Sequence, residues 1–154
     1  MTPTAAERRS RKPPRKATFL DAATADVGRI AEDDPDLAVL ALRKVRELEA
    51  RVVEGVELEE MAVTGDLGDC RKLYFGPGDP PSHRIVYRDL GEQGCIEIVE
   101  IIAVKAREQL YAYLLAAKRL GRLPPETEPR YRRQHQEVIQ RRANRRATKR
   151  GGGK

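Results

Sequence analysis

The chain has 154 residues, 40% of them apolar and 35% charged, and a formal net charge of +6. That length fits one domain with polar ends, and no apolar run reaches the roughly 18 residues that a membrane span needs. The opening MTPTAAERRSRKPPRK lacks the apolar h-region of a secretory signal, so the expected location is the cytoplasm, with no membrane contact.

The charge is uneven along the chain. Residues 1–16 carry six Lys/Arg and one Glu, and residues 130–154 carry ten Lys/Arg and one Glu. The middle, 17–129, is therefore acidic, at a net −8. Within it, 17–69 holds five basic and fourteen acidic residues, whereas 70–122 holds nine basic and six acidic. Basic ends favour a polyanion through phosphate attraction that ignores base sequence, which suits non-specific contact with nucleic acid. Since 22 of the 30 basic residues are Arg, the tails could equally serve solubility or reflect codon bias.

Residues 1–16 read as a disordered basic arm, with Pro13-Pro14, dispersed charge and almost nothing apolar. Ala17 to Ala22 is predicted as a short strand anchored by Phe19 and Leu20. A helix to about Glu32 follows, capped by Asp21 or Thr24, and Asp33-Asp34-Pro35 breaks it, with Pro35 suited to the next helix's first turn. From Pro35 to about Glu54, Leu37, Leu40, Ala41, Val45, Leu48 and Val52 form one apolar stripe, and Gly55 is the expected stop.

Strands are predicted at Cys70–Phe75, His83–Asp89 and Cys95–Ala103, separated by the turn-rich GPGDPPS and LGEQG. Short connections make them an antiparallel meander. Cys70 and Cys95 have neither CxxC nor Cys/His zinc spacing, so buried thiols are expected rather than a disulfide, and no metal or cofactor. Arg107 to Leu120 is predicted as a helix closed by Gly121. Leu123-Pro124-Pro125 is then a linker, and 126–154 a basic segment that becomes helical on binding. The organisation is a basic arm (1–16), a domain (17–122), and a linker with a basic tail (123–154). By layer logic the fold class is α+β: a small twisted antiparallel sheet with two N-terminal helices on one face and a C-terminal helix.

Strand alternation puts Cys70, Lys72 and Tyr74 on one face, opposite Arg71, Leu73 and Phe75. Arg84, Val86 and Arg88 share a face opposite His83, Ile85 and Tyr87. With Leu73, Phe75, Ile85 and Tyr87 as core, Lys72, Tyr74, Arg84 and Arg88 are expected together on the outward face. Lys105 and Arg107 sit at the exit into the last helix, one turn before Tyr111. Such a cationic cluster fits attack of an RNA 2′-OH on its adjacent phosphate, which needs no metal because the nucleophile belongs to the substrate. The protein must take the 2′ proton, neutralise the phosphate and protonate the leaving 5′ oxygen. Arg84 suits bidentate phosphate binding. Crowded cations are expected to lower the pKa of Lys72 or Lys105 into a useful range, and Tyr111 could stack on a base. Exposed strands also carry Lys and Arg simply to discourage edge pairing.

From about Ala17 to Arg122 the sequence resembles the RelE/ParE superfamily of bacterial type II toxins, through FLDAATADV, GDLGDCRKLYF, HRIVYRD and the AREQLY entry to the final helix. The resemblance implies a small antiparallel sheet flanked by two N-terminal helices. It implies a RelE-like ribosome-dependent mRNA endoribonuclease silenced by a cognate antitoxin, or, on the ParE branch, an inhibitor of DNA gyrase. Carried over by position, Lys72, Arg84, Lys105 and Tyr111 are the implied catalytic residues, with Lys105 or Arg107 where the family has an arginine acid. Arg71, Tyr74, His83, Arg88 and Arg107 are the surrounding candidates for RNA contact. Tyr74 stands where the family has its second lysine, and a phenol is a poor base unless cations lower its pKa; His83 could serve instead. The alternative is a non-catalytic protein of the same fold, either a gyrase inhibitor or a tail-driven nucleic-acid binder.

Overall fold

A computed structural model describes residues 2, 4, 13–58, 67–91, 94–103 and 109–151. Its elements in chain order are β1 (Lys16–Phe19), α1 (Asp21–Asp33), α2 (Pro35–Glu49), β2 (Val56–Glu57), β3 (Cys70–Phe75), β4 (His83–Asp89), β5 (Cys95–Ala103), α3 (Gln109–Arg119), a 3-10 turn (Pro125–Thr127) and α4 (Glu128–Gly151). The five strands form one sheet in the order β1-β5-β4-β3-β2. The last three strands make the expected antiparallel meander. β1 joins β5 in parallel, which makes the sheet mixed. The α+β class is as expected.

Local chemistry explains the helix ends. Asp34 Oδ1 accepts the Leu37 N–H at 3.2 Å and Pro35 occupies the first turn of α2, so cap and proline together start it. The helix ends five residues earlier than predicted, and Gly55 is not its stop. Arg51 takes a left-handed φ of 60°. The Arg51 N–H bonds to Leu48 O at 3.2 Å and the Val52 N–H to Glu47 O at 2.9 Å, the paired bonds of a Schellman ending. Gly55 serves a different purpose: a Cβ there would lie 2.7 Å from the Lys72 carbonyl oxygen, so only glycine lets the chain pass this close to β3. Gly121, by contrast, ends α3 as predicted, with φ 71° and Arg122 N–H bonded to Ala117 O at 2.8 Å.

One irregularity decides which side chains meet. Val86 pairs with Glu100 but Tyr87 pairs with Ile98, so Val99 is an extra residue in β5. A bulge of this kind interrupts alternation. It sends Ile96, Ile98 and Ile101 to the α1/α2 side, where they pack with Ala23, Ala41, Val45, Leu48, Phe75, Ile85 and Tyr87. Val99 goes to the other side with Cys70 and Val86.

That other side is covered, contrary to the outward face expected from alternation. Tyr113, Ala116 and Ala117 of α3 pack on Cys70, Val86 and Val99. The opposite flank of α3 is buried in turn by α4, through Tyr111, Leu114, Leu115, Tyr131 and Val138. Within the segment read as a linker and basic tail, Glu128–Gly151 is a 24-residue helix docked on the domain, because Tyr131 and Val138, one heptad apart, give its arginine-rich surface an apolar stripe. Cys70 is buried and Cys95 partly so. Among the described residues, no helix is long and apolar enough to cross a membrane.

Candidate functional site

Lys72 and Arg84 do converge, on the α3 side of the sheet. Pairing sets Lys72 opposite Val86 and Tyr74 opposite Arg84, so one face of two adjacent strands carries both cations. Above them stands Tyr113. The Lys72 Nζ donates to its hydroxyl at 3.0 Å and lies 5.6 Å from its ring centroid. The Arg84 guanidinium is 4.8 Å from the same centroid, well inside cation–π range. Tyr74 borders the pair, with its ring 5.7 Å from the Lys72 Nζ.

Arg84 is enclosed. Its Nε and Nη2 donate to Glu100 Oε1 at 3.0 and 2.7 Å, and the two side chains are 1% and 0% exposed. Among the described residues the second Glu100 oxygen has no hydrogen-bond partner. Burial pushes the Glu100 carboxyl above its ordinary value, and Arg84 opposes that rise. At Lys72, burial favours the neutral amine, but the Tyr113 hydrogen bond and the nearby phenols outweigh both burial and Arg84. The ammonium is held above its usual range. The expected lowering by crowded cations is thus overturned for Lys72, which in this arrangement is a firm cation rather than a base.

The remaining sequence candidates are scattered. Tyr111 faces away from Lys72 and Arg84: its ring stacks 6.3 Å from Tyr131 and its hydroxyl is 2.9 Å from His135 Nδ1. Helix residues two positions apart are separated by about 200°, so Tyr111 and Tyr113 cannot share a face. Burial raises the Tyr111 phenol to about 12. Arg88 is on the expected face, ion-paired to Glu97 at 2.7 Å. Arg71 points to the opposite face and donates to Gly55 O at 3.1 Å. His83 is also on the opposite face, 2.7 Å from Ser82 Oγ and 5.6 Å from the Phe75 ring. Lys105 and Arg107 lie outside the described residues. Among the described residues no group of three His, Cys, Asp or Glu could hold a metal ion.

Tyr113 and Glu100 were missed by sequence reading. Glu100 had a signal: a lone acid in the apolar run IVEIIA must find a buried partner or stay neutral. Asp26 was missed as well. It is 1% exposed, accepts the Ile101 N–H at 3.0 Å and both Arg119 nitrogens at 2.6 and 2.9 Å, and also bonds Arg29. It ties α1 to β5 and fixes the C-terminal end of α3.

No family model matches the sequence, and no curated protein matches it. The chain is similar to solved RelE toxin structures. The RelBE2 toxin–antitoxin complex of Mycobacterium tuberculosis overlays with a TM-score of 0.48 at 14% identity, covering 62% of this chain and 97% of that one. A mutant of the E. coli RelE toxin in the free state gives 0.45 at 19%, covering 69% and 97%. The isolated E. coli RelE toxin gives 0.42 at 20%, covering 69% and 98%. At these identities and TM-scores the likeness assigns no function.

Proposed function

We propose that the protein is a RelE-like toxin that cuts RNA, with translated messages on the ribosome as substrate and an antitoxin protein as partner. The observation that supports this reading is the convergence of Lys72 and Arg84 on one aromatic ring. Two cations and an aromatic face are what a phosphate and its neighbouring base require. The 2′ oxygen attacks the adjacent phosphorus, the P–O5′ bond breaks, and a 2′,3′-cyclic phosphate and a 5′-hydroxyl result. Arg84 and Lys72 neutralise the charge growing on the phosphate. Lys72, held protonated, gives its proton to the leaving 5′ oxygen, and Lys105 takes the 2′ proton. Arg84, enclosed with Glu100, acts on the phosphate at longer range than the partly buried Lys72.

The test is induction in cells followed by mapping of message ends by primer extension. The wild type should arrest growth and produce new ends within translated regions, which Lys72→Met abolishes. Arg84→Ala would be a poor control, because it leaves Glu100 buried without a partner. The paired variant Arg84→Met/Glu100→Leu removes the guanidinium while keeping the volume.

A second reading is favoured by the Arg84–Glu100 pair itself. A cation already neutralised in the core is a structural group, and the exposed Arg130, Arg132, Arg133 and Arg145 of α4 then carry a non-catalytic role on nucleic acid. Intact messages with gyrase-linked DNA breaks would favour the ParE-like form of that reading. Salt-sensitive nucleic-acid binding without growth arrest would favour a simple binder.

A further inference from the structure

A second cationic site lies at the end of β5. There α1, the start of α2, β4 and β5, and the last turns of α4 enclose a cleft of about 380 Å³, within the usual size of small-ligand pockets. Its lining carries three arginines, Arg29, Arg142 and Arg145, three acids, Asp26, Asp33 and Asp34, and His83; Arg29 and Arg145 both act on Arg142, and Asp34 acts on His83.

Arg142 is the informative member. It is half-buried, and among the described residues no carboxylate lies within ion-pair distance of it. Burial, then Arg29, and more weakly Arg145, disfavour its charge. Asp26, the acid that acts on it, is already shared between Arg119 and Arg29. A guanidinium withdrawn from water beside two others is costly unless an anion completes the site. Burial lowers His83 and Asp34 partly offsets that, and its Nδ1 is 2.7 Å from Ser82 Oγ. Leu37, Ile101 and Ile102 supply the apolar lining.

We propose that this cleft binds a nucleoside monophosphate, with its phosphate on Arg29, Arg142 and Arg145, its base on the apolar floor, and its amino or hydroxyl donors toward Asp33 and Asp34. The assignment is independent of the role given to Lys72 and Arg84. The same phosphomonoester could come from a free nucleotide or from the 5′ end of an RNA, and the probes separate the two. Calorimetric titration of the full chain would use AMP, adenosine, inorganic phosphate and a 5′-phosphorylated tetranucleotide beside its 5′-hydroxyl form. AMP should bind one to one, and adenosine and phosphate at least tenfold more weakly. A terminal-phosphate source would show as a tetranucleotide preference over AMP that vanishes without the 5′ phosphate. Arg142→Gln and Arg145→Gln should each weaken AMP binding about tenfold. In the ligand-free protein, Arg142→Gln should leave the melting temperature unchanged or raise it, since it removes an uncompensated charge. No saturable AMP binding, equal binding of adenosine, binding indifferent to both substitutions, or a melting temperature lowered by Arg142→Gln would each overturn the proposal.

Discussion

Removing either partner of the Arg84–Glu100 pair should be costly, and removing both should not. Arg84→Ala would strand a carboxylate with no solvent access, and Glu100→Gln would strand a guanidinium whose side chain is 1% exposed. Breaking a fully buried pair from one side costs about 3–5 kcal/mol. At about 2–4 °C per kcal/mol for a chain of this size, that is a fall in Tm of roughly 6–20 °C. Arg84→Ala also forfeits the contact with the Tyr113 ring, worth about 0.5–2 kcal/mol. Arg84→Met/Glu100→Leu replaces the pair by apolar side chains of similar volume, and such replacements are neutral or stabilising. The double variant should therefore melt near the wild type, and measured against its own single variants Arg84→Met and Glu100→Leu it should show a coupling energy of about 3 kcal/mol or more. Urea denaturation followed by circular dichroism, with unchanged slopes, measures it. Single variants that each cost under about 1 kcal/mol and simply add would refute the enclosed pair.

Asp26→Ala should destabilise by a similar amount, about 3–5 kcal/mol, because it frees the Ile101 N–H and leaves Arg119 buried without its carboxylate; a loss below about 1 kcal/mol in the same assay would contradict this. Gly55→Ala should cost about 1–3 kcal/mol, since the new methyl meets the Lys72 carbonyl and the Tyr87 ring; a thermal melt unchanged from wild type would count against the close approach. His83 is held below its ordinary value by burial, and His135 by burial and by Arg142, Arg119 and Arg29. The unfolded chain then binds the extra protons, so stability falls as pH drops from about 6.5 through the lowered folded values. Melts between about pH 7 and pH 5 should show this loss in the wild type and less of it in His83→Gln/His135→Gln; identical slopes would refute it.

The three central strands were legible to the residue, because turn-rich separators bracket runs rich in β-branched and aromatic residues. The opening strand, the break at Pro35 and the Gly121 ending of α3 were also visible. What sequence could not reveal was the second layer. The run CIEIVEIIA alternates in two ways, and only the bulge at Val99 decides that Glu100 turns toward Arg84 rather than toward α1. The end of α2 was misread because Arg51, and not a glycine, takes the left-handed turn. α4 read as a solvated tail because two apolar anchors, Tyr131 and Val138, are hidden among nine basic residues. Once α4 docks, α3 is pressed onto the sheet, and Tyr113 rather than Tyr111 reaches Lys72 and Arg84.

The most direct test is the mapping of message ends in cells expressing the wild type or Lys72→Met. Lys72 is only partly buried, so the variant should fold. The RNA-cutting account predicts new ends within translated messages that fall about a hundredfold in the variant, the scale expected for loss of a proton-transfer group. Equal cleavage by both proteins, or growth arrest with every message intact, would contradict it.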